Sequence, residues 1–135
     1  MKRLLAPRIE AANTALIVNG DVDAIPEFFS AVFVAHLTDR DLPGGHDAVR
    51  RILDQYLRAF APLQVEVAIL VESTDRIAWQ RTLRGIHKGA FLGFPATGRP
   101  IVWRDMVTSR FEDGRIVEDW SISDLAERLL LARKG

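Results

Sequence analysis

Four side chains of this sequence could carry protons near neutral pH if the fold brought them into one pocket. They are two aspartates and two histidines: Asp105, Asp119, His36 and His87. Histidine titrates near pH 7, and a carboxyl group enclosed by apolar side chains has its pKa raised toward that range. Together such groups could serve as general acid and base on a carbonyl compound. Each of these side chains could instead have an ordinary structural role. Asp105, for example, could pair with Asp119 or could form a structural ion pair with Arg81 on a neighbouring strand.

The composition excludes several other kinds of site. The 135 residues include no cysteine, which excludes disulfides, thiolate metal centres and a cysteine nucleophile. The three histidines, at positions 36, 46 and 87, lack the close spacing of metal ligands. No glycine-rich phosphate loop precedes a helix. We therefore expect neither a metal nor a cofactor.

The charge balance and hydropathy indicate which partners to expect. Eighteen basic residues balance eighteen acidic ones, and a chain without net charge lacks the basic surface of a nucleic-acid-binding protein. No apolar run approaches the roughly 18 residues of a membrane span. The apolar start ends at Pro7, too short for the core of a signal peptide, about 7–15 residues. We expect a cytoplasmic protein with no nucleic acid and no membrane as partner.

One strongly periodic helix and several weaker elements occupy the first half. Apolar residues at helical spacing run from Val49 to Phe60 and predict a helix over residues 47–60. Helical patterns also begin near Pro7 and near residues 21–23. Residues 32–37 are typical of a strand, and the Pro-Gly-Gly content of residues 41–45 predicts a loop.

The second half alternates as strands do. The pattern predicts strands over residues 64–72, 77–91, 101–111 and 115–122, and a last helix from about residue 123. Helices followed by a run of strands indicate an α+β fold, in a single domain spanning residues 1–135. Helices on one face of a curved antiparallel sheet would enclose a pocket, which is the usual place for a ligand.

The turn at Glu112-Asp113-Gly114 decides which side chains share a face of the sheet. A three-residue loop predicts Phe111 opposite Arg115, and hence Val107 opposite Asp119. The same register pairs Asp105 with Ser121. One face would then carry Trp103, Asp105, Val107, Ser109, Val117, Asp119 and Ser121. A two-residue loop would shift the register by one residue and split this set.

Three stretches of the second half carry a resemblance to a known family. They are Gly85-Ile86-His87-Lys88-Gly89, the Gly/Pro-rich segment of residues 93–100, and the stretch from Arg110 through Trp120. With the order of the helices, they resemble the SnoaL-like polyketide cyclase (ester cyclase) family of the NTF2-like superfamily. The resemblance implies an NTF2-like (cystatin-like) cone-shaped barrel, usually assembled as a homodimer through its sheet.

The resemblance also implies where the chemistry would lie. The family carries a His-Trp-Asp strand motif whose aspartate is the general acid/base, and the matching positions here read Asp119-Trp120-Ser121. Serine thus occupies the position of the family aspartate, and Asp119 on the same face could replace it. Asp119 and His87 would then be the proton carriers, with His36 and Asp105 assisting. His36 lies where related isomerases supply a base to the cavity mouth. The expected substrate contacts are Trp103, Val107, Ser121 and Tyr56.

Two hypotheses for function follow. The first is a cofactor-independent acid/base enzyme that cyclises, isomerises or hydrates a small hydrophobic carbonyl compound. The second is a non-catalytic module that binds a small hydrophobic ligand or serves for dimerisation. Serine at position 121 favours the second, whereas the set of carboxylates and histidines favours the first.

Overall fold

The computed structural model describes residues 4–134, in which three α-helices precede the long strands and a fourth follows them. Helix α1 (Ala6–Asn13) has a proline in its first turn, where the missing amide hydrogen costs nothing, and it continues as a π-helical segment, Thr14–Val18. A 3₁₀ turn (Val22–Ala24) leads into the short helix α2 (Ile25–Phe28). Helix α3 is His46–Ala59, and α4 is Leu125–Lys134.

Six strands form one sheet, and the helices pack against one of its faces. The strands are β1 (Phe29–His36), β2 (Asp41–Pro43), β3 (Phe60–Glu72), β4 (Arg76–His87), β5 (Pro100–Glu112) and β6 (Arg115–Ser123). Their order in the sheet is β2-β1-β6-β5-β4-β3, with β1 parallel to β6 and every other pair antiparallel. The predicted α+β, NTF2-like fold is therefore confirmed, in the form of a mixed sheet that does not close.

The core lies between the helices and the inner face of this sheet. Val49 and Leu53 of α3 are buried in it, and three further residues of the predicted stripe, Ile52, Tyr56 and Leu57, pack against it. Phe60 is also buried, but it opens β3 rather than ending the helix. The predicted helix thus forms within one residue of its expected ends.

Several expected boundaries are wrong, among them the starts of β1 and β3, which lie three and four residues earlier than predicted. Residues 41–43 were expected in a loop but form the edge strand β2, because they pair with the end of β1. Strand β4 ends at His87 rather than at residue 91, because the chain there turns against the end of α3. Gly89 passes so close that a Cβ on it would lie 2.5 Å from the carbonyl oxygen of Arg58.

The β5–β6 turn differs from the predicted three-residue loop. Asp113 and Gly114 form a two-residue turn with positive φ at both positions, and Glu112 pairs with Arg115. A β-bulge follows, because the register shifts by one residue between Phe111 and Arg110. The bulge restores the predicted face assignment, since the final register differs from the expected one by two residues.

Residues 4–134 contain no helix that is both long enough and apolar enough to cross a membrane.

Candidate functional site

A cavity of about 390 Å³ lies between α1, α3 and the inner face of the sheet. Its wall is mostly aliphatic and aromatic, with a few polar groups on the sheet side, as is usual for small-molecule sites. The exposed residues Thr38, Asp39, Arg40 and Leu92 belong to the lining and mark where the cavity meets solvent.

The polar side of the cavity is built from rows of paired residues across β4, β5 and β6. Alternate residues of a strand face the same side, so cross-strand partners form rows on the inner face. Three successive rows are Ile77–Ser109–Asp119, Trp79–Val107–Ser121 and Arg81–Asp105–Ser123. The expectation that Val107 opposes Asp119 and Asp105 opposes Ser121 is therefore wrong, because the two-residue turn and the bulge each shift the register by one position.

Asp119 ends a short hydrogen-bonded chain at one side of the cavity. Ser109 Oγ donates to Asp119 Oδ1 at 2.6 Å, and Trp79 Nε1 donates to Ser109 Oγ at 3.0 Å. Burial raises the pKa of Asp119 to about 6, although the hydrogen bond from Ser109 and the charge of Arg81 act in the opposite direction. A carboxyl group with this pKa can take up and return a proton near neutral pH.

Arg81 and Asp105 form a buried ion pair at the other side. Arg81 Nε donates to Asp105 Oδ2 at 2.9 Å, and Arg81 Nη1 donates to Asn13 Oδ1 at 3.0 Å. Asp105 Oδ1 is buried and has no hydrogen-bond partner among the described residues. Of the two pairings left open for Asp105, the structure has the one with Arg81.

Tyr56 lines the cavity from α3. Its ring stacks on Phe91 and Trp103, with centroids 5.6 and 6.0 Å away. Burial, with the negative charge of Asp105, raises the pKa of the Tyr56 hydroxyl, which therefore stays protonated at neutral pH.

His87 does not line the cavity. It lies at the end of β4, fully buried, with its ring stacked on Phe60 at 5.2 Å. The backbone N–H of Thr97 donates to His87 Nδ1 at 3.2 Å, and burial lowers the pKa of the ring. The expectation that His87 and Asp119 face one cavity is not met, because Phe60 and the segment around Thr97 cover this end of the strand.

His36 lies on the outer face of the sheet rather than at the cavity mouth. Its Nδ1 is 2.8 Å from Asp41 Oδ1, its Nε2 is 2.6 Å from Glu118 Oε2, and its ring stacks on Trp120. The hydrogen bonds to Asp41 and Glu118 raise the pKa of His36. Since Ala35 lines the cavity, its neighbour in β1 must face the other way. His36 thus links β1, β2 and β6.

The expected substrate contacts divide. Val107, Ser121 and Tyr56 line the cavity with Asp105 and Asp119. Trp103 does not, because it is buried in the core against Phe60, 4.6 Å between ring centroids.

Sequence reasoning missed four residues that build the site. Trp79 is not among the predicted site residues and Ser109 is predicted only on a strand face, although their places beside Asp119 follow from the strand pairing. Arg81 was considered only as a partner of Asp105. Asn13 carried no signal, because its contact with Arg81 joins residues far apart in the sequence.

The described residues, 4–134, hold no cluster of three His, Cys, Asp or Glu side chains that could bind a metal ion.

Comparison with known proteins gives one family and many related structures. The family model of the SnoaL-like polyketide cyclases matches residues 8–130. No curated protein matches the chain.

Two solved structures share about a quarter of the sequence. AclR, a proposed hydroxylase from Streptomyces galilaeus, is 28% identical with a TM-score of 0.78, over 97% of this chain and 87% of AclR. IdmH, a proposed polyketide cyclase from Streptomyces antibioticus, is 26% identical with a TM-score of 0.79, over 99% of this chain and 100% of IdmH. A proposed polyketide cyclase from Acidithiobacillus ferrooxidans, 16% identical over 99% of each chain, has a TM-score of 0.82, which is a likeness of fold alone.

Proposed function

The chain belongs to the SnoaL-like polyketide cyclase family, and from this premise we propose that it is a cofactor-independent acid/base enzyme acting on a small hydrophobic carbonyl compound. The observation that carries the proposal is Asp119, a carboxyl group with a pKa of about 6 in the wall of a largely apolar cavity. The proposal takes its reaction class, cyclisation or isomerisation, from the family.

Asp119 would begin the reaction as a general base. The ionised carboxylate takes a proton from the carbon next to the carbonyl group, and the electrons of that C–H bond form the enolate. In a cyclisation, the enolate carbon then attacks a second carbonyl carbon, and the resulting alkoxide takes the proton back from Asp119. Ser109 supports the charged form, because its hydroxyl donates to the carboxylate.

The other expected proton carriers have different places in this proposal. Asp105 holds Arg81 through its ion pair, while His87 and His36 lie outside the cavity. Val107, Ser121 and Tyr56 remain the proposed substrate contacts.

Deuterium exchange of a simple ketone tests the proposal. With 2-tetralone in D₂O, NMR measures how fast the protein replaces the acidic protons next to the carbonyl group. We expect Asp119→Asn to lower this rate about 10²–10⁴-fold, the usual effect of losing one general base. The control is Asp113→Asn, because Asp113 is exposed at the β5–β6 turn and asparagine tolerates its positive φ.

The outcome separates the enzyme from a binding module. Equal exchange rates for wild type and Asp119→Asn, at unchanged melting temperatures, would refute the proposed chemistry. Serine in place of the family aspartate at position 121 favours that alternative. Binding of 2-tetralone without any exchange would then assign the chain as a non-catalytic ligand-binding module.

We also propose that two copies assemble through the outer face of the sheet and that the protein works in the cytoplasm. The support for assembly is that three apolar side chains of this face are exposed, Val102, Met106 and Ile122, of which Met106 and Ile122 are cross-strand partners. Helices cover the inner face of the sheet, and a second sheet could cover the outer one.

A further inference from the structure

Arg81 is the accessible member of the buried ion pair in the cavity wall. Its side chain keeps 16% of its surface exposed, whereas that of Asp105 keeps 3%. Because Arg81 lines the cavity, the exposed part is available to a ligand there. A ligand in the cavity would therefore contact the guanidinium group of Arg81 rather than the carboxylate of Asp105.

The guanidinium group retains hydrogen-bond donors for such a ligand. Arginine carries five N–H donors, and the described residues accept from two of its nitrogens, Asp105 from Nε and Asn13 from Nη1. These two bonds also fix the orientation of the planar group. The Cζ atom of Arg81 lies 5.5 Å from the centroid of the Trp79 ring. The guanidinium group is therefore close to the middle of the three rows on the inner face of the sheet, the row that contains Trp79.

The row of Trp79 separates this cation from the proposed base. Successive rows on one face of a sheet are about 7 Å apart and neighbouring strands about 4.8 Å apart, and Arg81 on β4 and Asp119 on β6 stand two rows and two strands apart. The long arginine side chain reaches back over the Trp79 row and shortens this gap, and the charge of Arg81 acts on Asp119 across it. A flat molecule lying over Trp79 and Val107 could therefore reach both ends.

We propose that Arg81 binds the substrate oxygen that becomes negatively charged when Asp119 removes a proton, and that the substrate is a conjugated carbonyl compound whose oxygen and acidic carbon lie at different edges of one planar system. This proposal rests on the proposed function. As the C–H electrons enter the conjugated system, the carbonyl π electrons move onto oxygen, and the guanidinium group stabilises that charge while Asp119 holds the proton. Such preorganised donors contribute strongly in a low-dielectric site.

The test uses 4-nitrophenol, whose phenolate resembles an enolate and absorbs at a different wavelength from the phenol. The pKa of the bound probe reports how much better the cavity binds the anion, because each unit of change is tenfold in relative affinity. The groups facing Arg81 are Asp105, Asn13, Tyr56 and Asp119. Tyr56 stays protonated at neutral pH. Asp119, in contrast, titrates near pH 6, so its effect on the apparent pKa of the probe must be measured separately.

The informative variant is the double replacement Arg81→Gln with Asp105→Asn. It removes both charges together, because losing the arginine alone would leave a buried uncompensated carboxylate and endanger folding. The matched control is Arg84→Gln, an exposed arginine on the other face of the same strand. Asp119→Asn is titrated in parallel.

We expect wild type, Arg84→Gln and Asp119→Asn to bind the phenolate at least tenfold better, relative to the phenol, than the double variant does. Equal relative affinities in wild type and double variant would overturn the assignment, and so would a wild-type protein that binds only the neutral phenol or neither form. The titration involves no turnover. A failure of Asp119 as the base would therefore leave this result intact, and the reverse also holds.

Discussion

At the residue scale, the hydrogen bond from Ser109 tunes the proton affinity of Asp119. Burial raises the pKa of Asp119 to about 6, and the bond from Ser109 holds it down by favouring the charged form. The base form exists above the pKa, so the exchange rate of 2-tetralone should rise with pH through about 6 and then level off. Ser109→Ala should move this midpoint upward, because the ionised carboxylate loses a donor.

The rate profile between pH 4 and pH 9 measures that midpoint. Ser73→Ala, in the exposed β3–β4 turn, is the control and should leave it in place. A midpoint unchanged in Ser109→Ala would mean that another group controls the rate. The same raised pKa predicts that stability falls as pH rises from about 4 to 6, since the unfolded state releases this proton first.

At the scale of elements, α3 supplies the wall of the cavity opposite the sheet. Leu53 is 5% exposed in the core, so Leu53→Ala should lower the free energy of unfolding by about 2–5 kcal/mol. Urea unfolding measures this, with Arg50→Ala as an exposed control on the same helix. A loss below about 0.5 kcal/mol would contradict the packing described for this helix.

The elements differ in how far the sequence could predict them. The periodicity of α3 is local, so its ends were predicted within one residue. The short strand β2 exists only through its pairing with β1, for which residues 41–43 carry no local signal.

The prediction of the β5–β6 hairpin contained two errors, and together they left every side chain beyond the bulge on its predicted face of the sheet. The loop was one residue shorter than predicted and the bulge near Ile116 was not foreseen, yet Asp119 still reached the inner face. The alternation of side chains between the two faces of a strand predicts which face a residue lies on, but it does not reveal where along that face the cavity ends. For that reason His87, on the correct face, was wrongly expected in the site.

At the scale of the whole molecule, the outer face of the sheet should decide the state of assembly. Ile122 is 61% exposed there, so Ile122→Glu should place charges in the proposed interface and yield monomers. Sedimentation at micromolar concentration measures this, and Leu131→Glu, on α4, is the control. A wild-type protein that sediments as a 15.1 kDa monomer would contradict the homodimer.

The contact between Asn13 and Arg81 also ties the motion of α1 to what the cavity holds. Asn13 is the last residue of α1; its amide donates to the carbonyl of Ile9 at 2.9 Å, while its oxygen accepts from Arg81. Local unfolding of α1 would therefore remove Asn13 from Arg81 and disrupt this part of the cavity wall. A ligand that contacts the wall can bind fully only while α1 is folded. Saturating ligand should slow amide hydrogen exchange in α1 by a factor of about one plus the ratio of ligand concentration to Kd.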